Sequence, residues 1–154
     1  MAMQTLGNTD LMKLHKVGYF ASSKIATLSV LPTLDWAAEI TKREDIVVVC
    51  GFHSKMEREV LDYLLRGRCG IICVLARSIY QQIPTKYREA YNQNRVLFIT
   101  EVERQNIIMI SKDRATKRNH LVASLANEIV VSSLTDESSL FSIIQTSSKP
   151  TTIF

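Results

Sequence analysis

Between Ser111 and His120 the chain places Lys112, Arg114, Lys117 and Arg118 against a single carboxylate, Asp113, a local balance of +3 out of +4 for the whole protein. The positive charge is therefore concentrated in one segment. The run Lys117, Arg118, Asn119 and His120 directly precedes apolar residues with helical spacing, "LVASLAN". Cations and amide donors at such a place suit an anionic ligand, above all phosphate oxygens. Set beside this is the plain reading of a charge run as a solvated helix face. Three further stretches offer small donors where a strand gives way to a helix: Ser22, Ser23 and Lys24; Gly51, Phe52, His53, Ser54 and Lys55; and Ser138 and Ser139. Gly51 permits a tight turn and a close backbone approach, and the N–H groups that follow it can point at an anion. Ser and Thr are also the ordinary caps of helix N-termini, so each stretch has a purely structural explanation.

Catalytic signatures are scarce. The sequence has no GxxxxGK loop, no GxGxxG fingerprint, no GxSxG turn and no HxE…CxxC zinc pattern. Cys50 and His53 form the one thiol–imidazole pair close in sequence, without an evident third residue to orient the base. Glu57 and Glu137 stand near strand ends as candidate bases, but a carboxylate at a helix start also serves the helix dipole. Cys69 and Cys73, if both lie on one strand, are about 13 Å apart at roughly 3.3 Å per residue, too far to share a zinc ion. No catalytic residue and no metal ligand is assigned, and the three cysteines are expected to be reduced.

These residues need a scaffold to bring them together. A length of 154 residues with 46% hydrophobic and 22% charged content suits one globular domain. No apolar run reaches the roughly 18 residues of a membrane helix, and the start lacks the order of a secretory signal, so a cytoplasmic protein without a membrane partner is expected. "KVGYFAS", "DIVVVCGF", "GIICVLA" and "RVLFIT" are near-continuous apolar runs of the kind found in strands covered on both faces, and "EIVVSSL" and "PTTIF" extend the series. Segments with helical spacing alternate with them. That alternation predicts an α/β fold: a doubly wound, mainly parallel sheet of about six strands with helices on both faces. Residues 1–15 read as a loose or partly helical leader and 16–154 as a single Rossmann-like domain. The stretch 104–114 reads as a short extra strand or a loop.

In order along the chain, "SSKIAT", "CGFHSKMEREVLDYLLRG", "VLARSIYQQIPTKYREAY", "LFITE" and "KRNHLVASLANEIVV" resemble the Rossmann-like domain of the DNA-processing protein A (DprA, or Smf) family. That family reads GSRKAT, SGxAxGIDxxAHxxAL, a "Vla…YP" segment, xISE and FPxRNRIIAGLSD at the corresponding places. By this resemblance Lys24 stands for the arginine of GSR, with Ser23 and Thr27 matching its serine and threonine. Gly51 matches the first glycine of the second motif, Glu57 its aspartate, and Arg118 and Asn119 the start of RNR. Cys50, His53, Lys55, His120 and Ser22 depart from the pattern, and two of the departures fill family glycines. The resemblance covers about residues 16 to 154.

It implies a binding module that holds the phosphates of single-stranded DNA or of a nucleotide, in DNA processing or recombination, without a chemical step or a cofactor. A second copy of the chain and a recombinase stand as candidate partners by the same resemblance. The alternative is a small nucleotide-hydrolysing or nucleotide-sensing enzyme of the related Rossmann-like group. The PGGxGTxxE run of its phosphoribohydrolases is absent, "LTDESSL" standing in its place.

Overall fold

The computed structural model describes residues 3–134 and 138–154. Its seven strands are β1 (Gln4–Gly7), β2 (His15–Ala21), β3 (Ile46–Cys50), β4 (Gly70–Leu75), β5 (Val96–Thr100), β6 (Glu128–Ser132) and β7 (Thr151–Ile153). The helices are α1 (Thr27–Ile40), α2 (Lys55–Leu65), α3 (Arg88–Asn92), α4 (Lys112–Leu125) and α5 (Ser139–Thr146). All strands join one sheet in the order β1-β5-β4-β3-β2-β6-β7, parallel except for β1 against β5. The doubly wound α/β class is as predicted. Two details differ. Gln4–Gly7, expected in a leader, adds an antiparallel edge strand beside β5, followed by a short 3-10 helix at Thr9–Lys13 whose Leu11 is buried. The stretch 104–110 forms no strand: it is the loop into α4, which begins at Lys112.

Alternation along the strands sorts side chains onto two faces. Ile46, Val48 and Cys50 of β3 face one apolar layer with Ala37 of α1, Val60, Leu61 and Leu64 of α2 and Ala90 of α3. Val47 and Val49 face the other, with Val122 of α4 and Leu140 and Ile144 of α5. The central strands are buried along their length, which is why they read as continuous apolar runs rather than alternating ones. Gly18 of β2 lets α4 approach closely, since a Cβ there would lie 2.8 Å from Ala126 Cβ. That contact seats the C-terminal end of α4 on the sheet and so fixes where its first turns reach.

Candidate functional site

β2 leads through α1 to β3 on one side, whereas β6, reached through α4 on the opposite face, pairs with the other side of β2. The strand order therefore reverses at β2 and β6, and the carboxyl ends of β3, β2 and β6 form one edge, where ligands of open α/β sheets bind. Gly51, Ser22 and Ser133 follow directly on those strands.

The loop after β3 is organised by Glu57. Its Oε1 accepts from the backbone N–H groups of His53 (2.8 Å) and Ser54 (3.1 Å), and its Oε2 accepts from Ala21 N–H (3.1 Å) at the end of β2. Ser54 Oγ returns the bond by accepting from Glu57 N–H, which completes a capping box at the start of α2. The carboxylate thus occupies the place an anion would take, and the N–H groups of His53 and Ser54 are already engaged. Phe52 N–H is aimed at Cys50 Sγ, 3.2 Å away. The tight turn falls on Phe52, at φ 52°, rather than on Gly51. These are corrections to the sequence reading: a residue in the middle of the loop takes the left-handed conformation, and an internal carboxylate satisfies its donors. Glu57 is a clamp between two loops.

Gly51 has a different use. A Cβ at this position would stand 2.5 Å from Arg118 Cδ and 2.7 Å from its Cζ and Nε. The arginine side chain therefore lies across the bare backbone of Gly51. Arg118 is only 7% exposed, yet it enters no ion pair among the described residues, and its one hydrogen bond runs from Nε to Asn119 Oδ1 at 3.0 Å. Its charge reaches the thiols of Cys50 and Cys73 across the strand ends. The sequence placed Lys117 to His120 in front of a helix; they lie inside it instead. α4 starts at Lys112, where Ser111 Oγ accepts from Arg114 N–H as an N-cap, so Arg118 sits in the second turn and faces the sheet. Lys117 stays exposed and pairs with Asp113 at 3.3 Å.

Beside Arg118 opens a cleft of about 620 Å³ between α4 and the loop after β5. Leu75, Val102, Ile107 and Leu121 supply apolar walls; Arg104, Arg114, Lys117, Arg118 and His120 supply donors; Glu101 and Glu103 supply carboxylates. The loop wall is held from two sides. Ser78 Oγ accepts from Ile107 N–H at 2.8 Å and donates to Arg104 O, while Arg114 Nη2 donates to Met109 O. Of the expected site residues, Lys117, Arg118 and His120 line this cleft, with Gly51 and Asn119 in contact with Arg118. Ser22 Oγ donates to its own loop at Lys24 O (2.8 Å), and Ser138 Oγ accepts from Leu140 N–H (3.1 Å) as the cap of α5. Ser23, Lys24, His53, Lys55 and Ser139 are exposed on the same carboxyl edge outside the cleft. Glu137 lies outside the described residues.

Sequence reasoning did not carry Glu101, Arg114 or Ile107 into the site. Glu101 had a usable signal, because "LFITE" puts it directly after β5, at a strand end. The thiols offer no nucleophile. Burial pushes Cys50 well above its ordinary value and Cys73 up to about 11, and Cys50 points into the core while His53 is exposed. All three cysteines are free, and Cys50 and Cys73 are lateral neighbours on β3 and β4.

The scaffold is thus a doubly wound α/β sheet with a cation-lined cleft at its strand ends. The family model for DNA recombination-mediator protein A matches residues 1–151, and the chain belongs to that family. Two solved structures are similar. DNA processing protein A from Helicobacter pylori, described for its single-stranded DNA binding mode, is 22% identical with a TM-score of 0.74, over 98% of this chain and 70% of that one. DNA processing protein A from Streptococcus pneumoniae is 16% identical with a TM-score of 0.76, over 98% of this chain and 54% of that one. The chain thus spans about half the length of the Streptococcus protein. At these identities the likeness shows the fold. No curated protein matches the chain. No helix among the described residues is long and apolar enough to cross a membrane.

Proposed function

We propose that the chain is a single-stranded DNA binding module in which Arg118 anchors a phosphate at the mouth of the cleft and Lys117 neutralises the next. The observation that carries this reading is the guanidinium of Arg118, laid over Gly51, nine-tenths buried, without an ion-pair partner among the described residues and lining the cleft. Burying an unpaired charge costs stability, so a site that keeps one has a use for it. Membership of the family and the single-strand binding of the Helicobacter protein support DNA rather than a free nucleotide as the ligand. Lys24 and Lys55, exposed on the same edge, extend the positive track along which a strand would run. The reading needs no chemical step, and Glu57, the candidate base among the described residues, is occupied by three backbone N–H groups.

Fluorescence titration with a labelled single strand at several salt concentrations tests it. Three or four neutralised phosphates give a slope of log K against log salt of about −2 to −3, at roughly −0.7 per phosphate. Lys117→Ala should bring the slope closer to zero by about 0.7 while leaving thermal stability within about 0.5 kcal/mol, as expected for an exposed side chain. A parent chain that binds no strand, or binds it without salt dependence, refutes the proposal.

A further inference from the structure

Among the cations that line the cleft stands an unpaired charge of opposite sign. Glu101 follows β5 directly, is half-buried in the wall of the cleft, and makes neither a hydrogen bond nor an ion pair among the described residues. Arg118 lines the same cleft and is not joined to it. Two opposite charges that share a cavity of about 620 Å³ without meeting are complementary to a ligand that brings an anion to one and hydrogen-bond donors to the other. A phosphate cannot serve both, because the carboxylate repels it. The apolar walls, Leu75, Val102, Ile107 and Leu121, suit a flat ring between them.

We infer that Glu101 reads the open edge of a nucleobase inserted into the cleft, so that the site prefers bases presenting an amino group, cytosine, adenine and guanine, over thymine. The inference rests on the phosphate-anchoring role of Arg118 proposed above. A carboxylate accepts and cannot donate. Cytosine offers N4–H₂ to it, and guanine offers N1–H and N2–H₂ side by side. Thymine offers a single N3–H flanked by two carbonyl oxygens, which the carboxylate repels. These edges are free only in a single strand, since a duplex pairs them. The carboxylate also orients the strand, keeping phosphates out of the cleft and on the α4 rim.

The test compares oligodeoxycytidylate, oligothymidylate and thymidine strands carrying one guanine, titrated at fixed low salt against the intact chain and against Glu101→Gln. The intact chain should bind the cytosine and guanine strands at least about tenfold more tightly than oligothymidylate, the discrimination expected of one well-placed base contact. Gln offers an acceptor and a donor, so E101Q should raise affinity for oligothymidylate and bring the three strands to within about twofold of one another. Equal binding of all strands by the intact chain overturns the base reading and leaves the phosphate anchor standing. A uniform gain for every strand in E101Q shows a repulsive lip and overturns it as well. Absence of binding to any strand removes the phosphate anchor, and this inference with it. The ranking in the intact chain needs no variant, so it decides the matter even if E101Q fails to fold.

Discussion

Arg118 sets stability against function within one side chain. Nine-tenths buried and without a carboxylate partner among the described residues, its guanidinium is a charge that folding must desolvate with a single hydrogen bond among them, to Asn119, in return. A methionine of similar length would fill the same channel over Gly51 without that penalty, because an unpaired buried charge is among the groups most readily replaced by apolar atoms. Arg118→Met is therefore expected to match or exceed the parent in denaturant unfolding while losing at least about tenfold in affinity for a single strand, the scale of one charge-assisted hydrogen bond. A variant that unfolds readily would instead show that the arginine is a structural tie. Gly51→Ala reports on the same geometry from the other side. The added Cβ would meet the flexible part of the arginine at 2.5 Å, so the guanidinium shifts rather than the backbone, and affinity should fall while the melting temperature changes little.

At the scale of the elements, two of the three strand ends are tied to one another by Glu57, whose carboxylate joins the end of β2 to the loop between β3 and α2. Glu57→Gln keeps the shape but turns one acceptor into an amide donor that faces a backbone N–H. The expected loss is about 2–3 kcal/mol in urea unfolding, with circular dichroism of the native state unchanged; a loss under 0.5 kcal/mol would mean that water serves those N–H groups equally well. The strands and their parallel order were legible because central strands buried on both faces leave continuous apolar runs such as "DIVVVCGF". The edge strand β1 was not: Gln4–Gly7 is short, half exposed and carries no such run, and it pairs only because β5 offers a free edge. The start of α4 was misplaced because Lys112, Asp113 and Arg114 are polar and show no periodicity, although Ser111 followed by Asp113 in the first turn was a readable cap. Gly51 and Arg118 could be assigned to one edge from topology alone. That the arginine lies flat over the glycine depends on side-chain volume at one point, which no sequence period encodes.

For the molecule as a whole, the apolar layer between the sheet and α1, α2 and α3 holds several neutral acids. Burial pushes the phenols of Tyr19 and Tyr87 and the thiol of Cys50 well above their ordinary values, and that of Cys73 up to about 11. Cys69 and Tyr80 shift the same way. In the unfolded chain these groups ionise near their ordinary values, about 8.5 for a thiol and 10 for a phenol. A raised native value means that above those points the unfolded state has released protons the native state still holds, so stability is complete below about pH 8.5 and declines as pH rises. Lys149 acts in the opposite sense, since its ammonium is held below its usual range by desolvation, but it is one half-buried group against several fully buried ones. Near pH 11 the decline approaches about 4 kcal/mol per pH unit, at about 1.4 kcal/mol per proton from Tyr19, Tyr87 and Cys50, since Cys73 is by then ionising in the native state as well. A domain of ordinary stability, about 5–15 kcal/mol, should then unfold cooperatively near pH 11. Urea unfolding followed at intervals from pH 7 to 11 measures the slope directly. Replacing Cys73 by alanine should flatten it between about pH 9 and 11 by the contribution of one proton, even though the smaller side chain lowers stability at pH 7. A stability that stays level across that range would mean that water reaches this layer in the native state and that its thiols and phenols ionise where they stand.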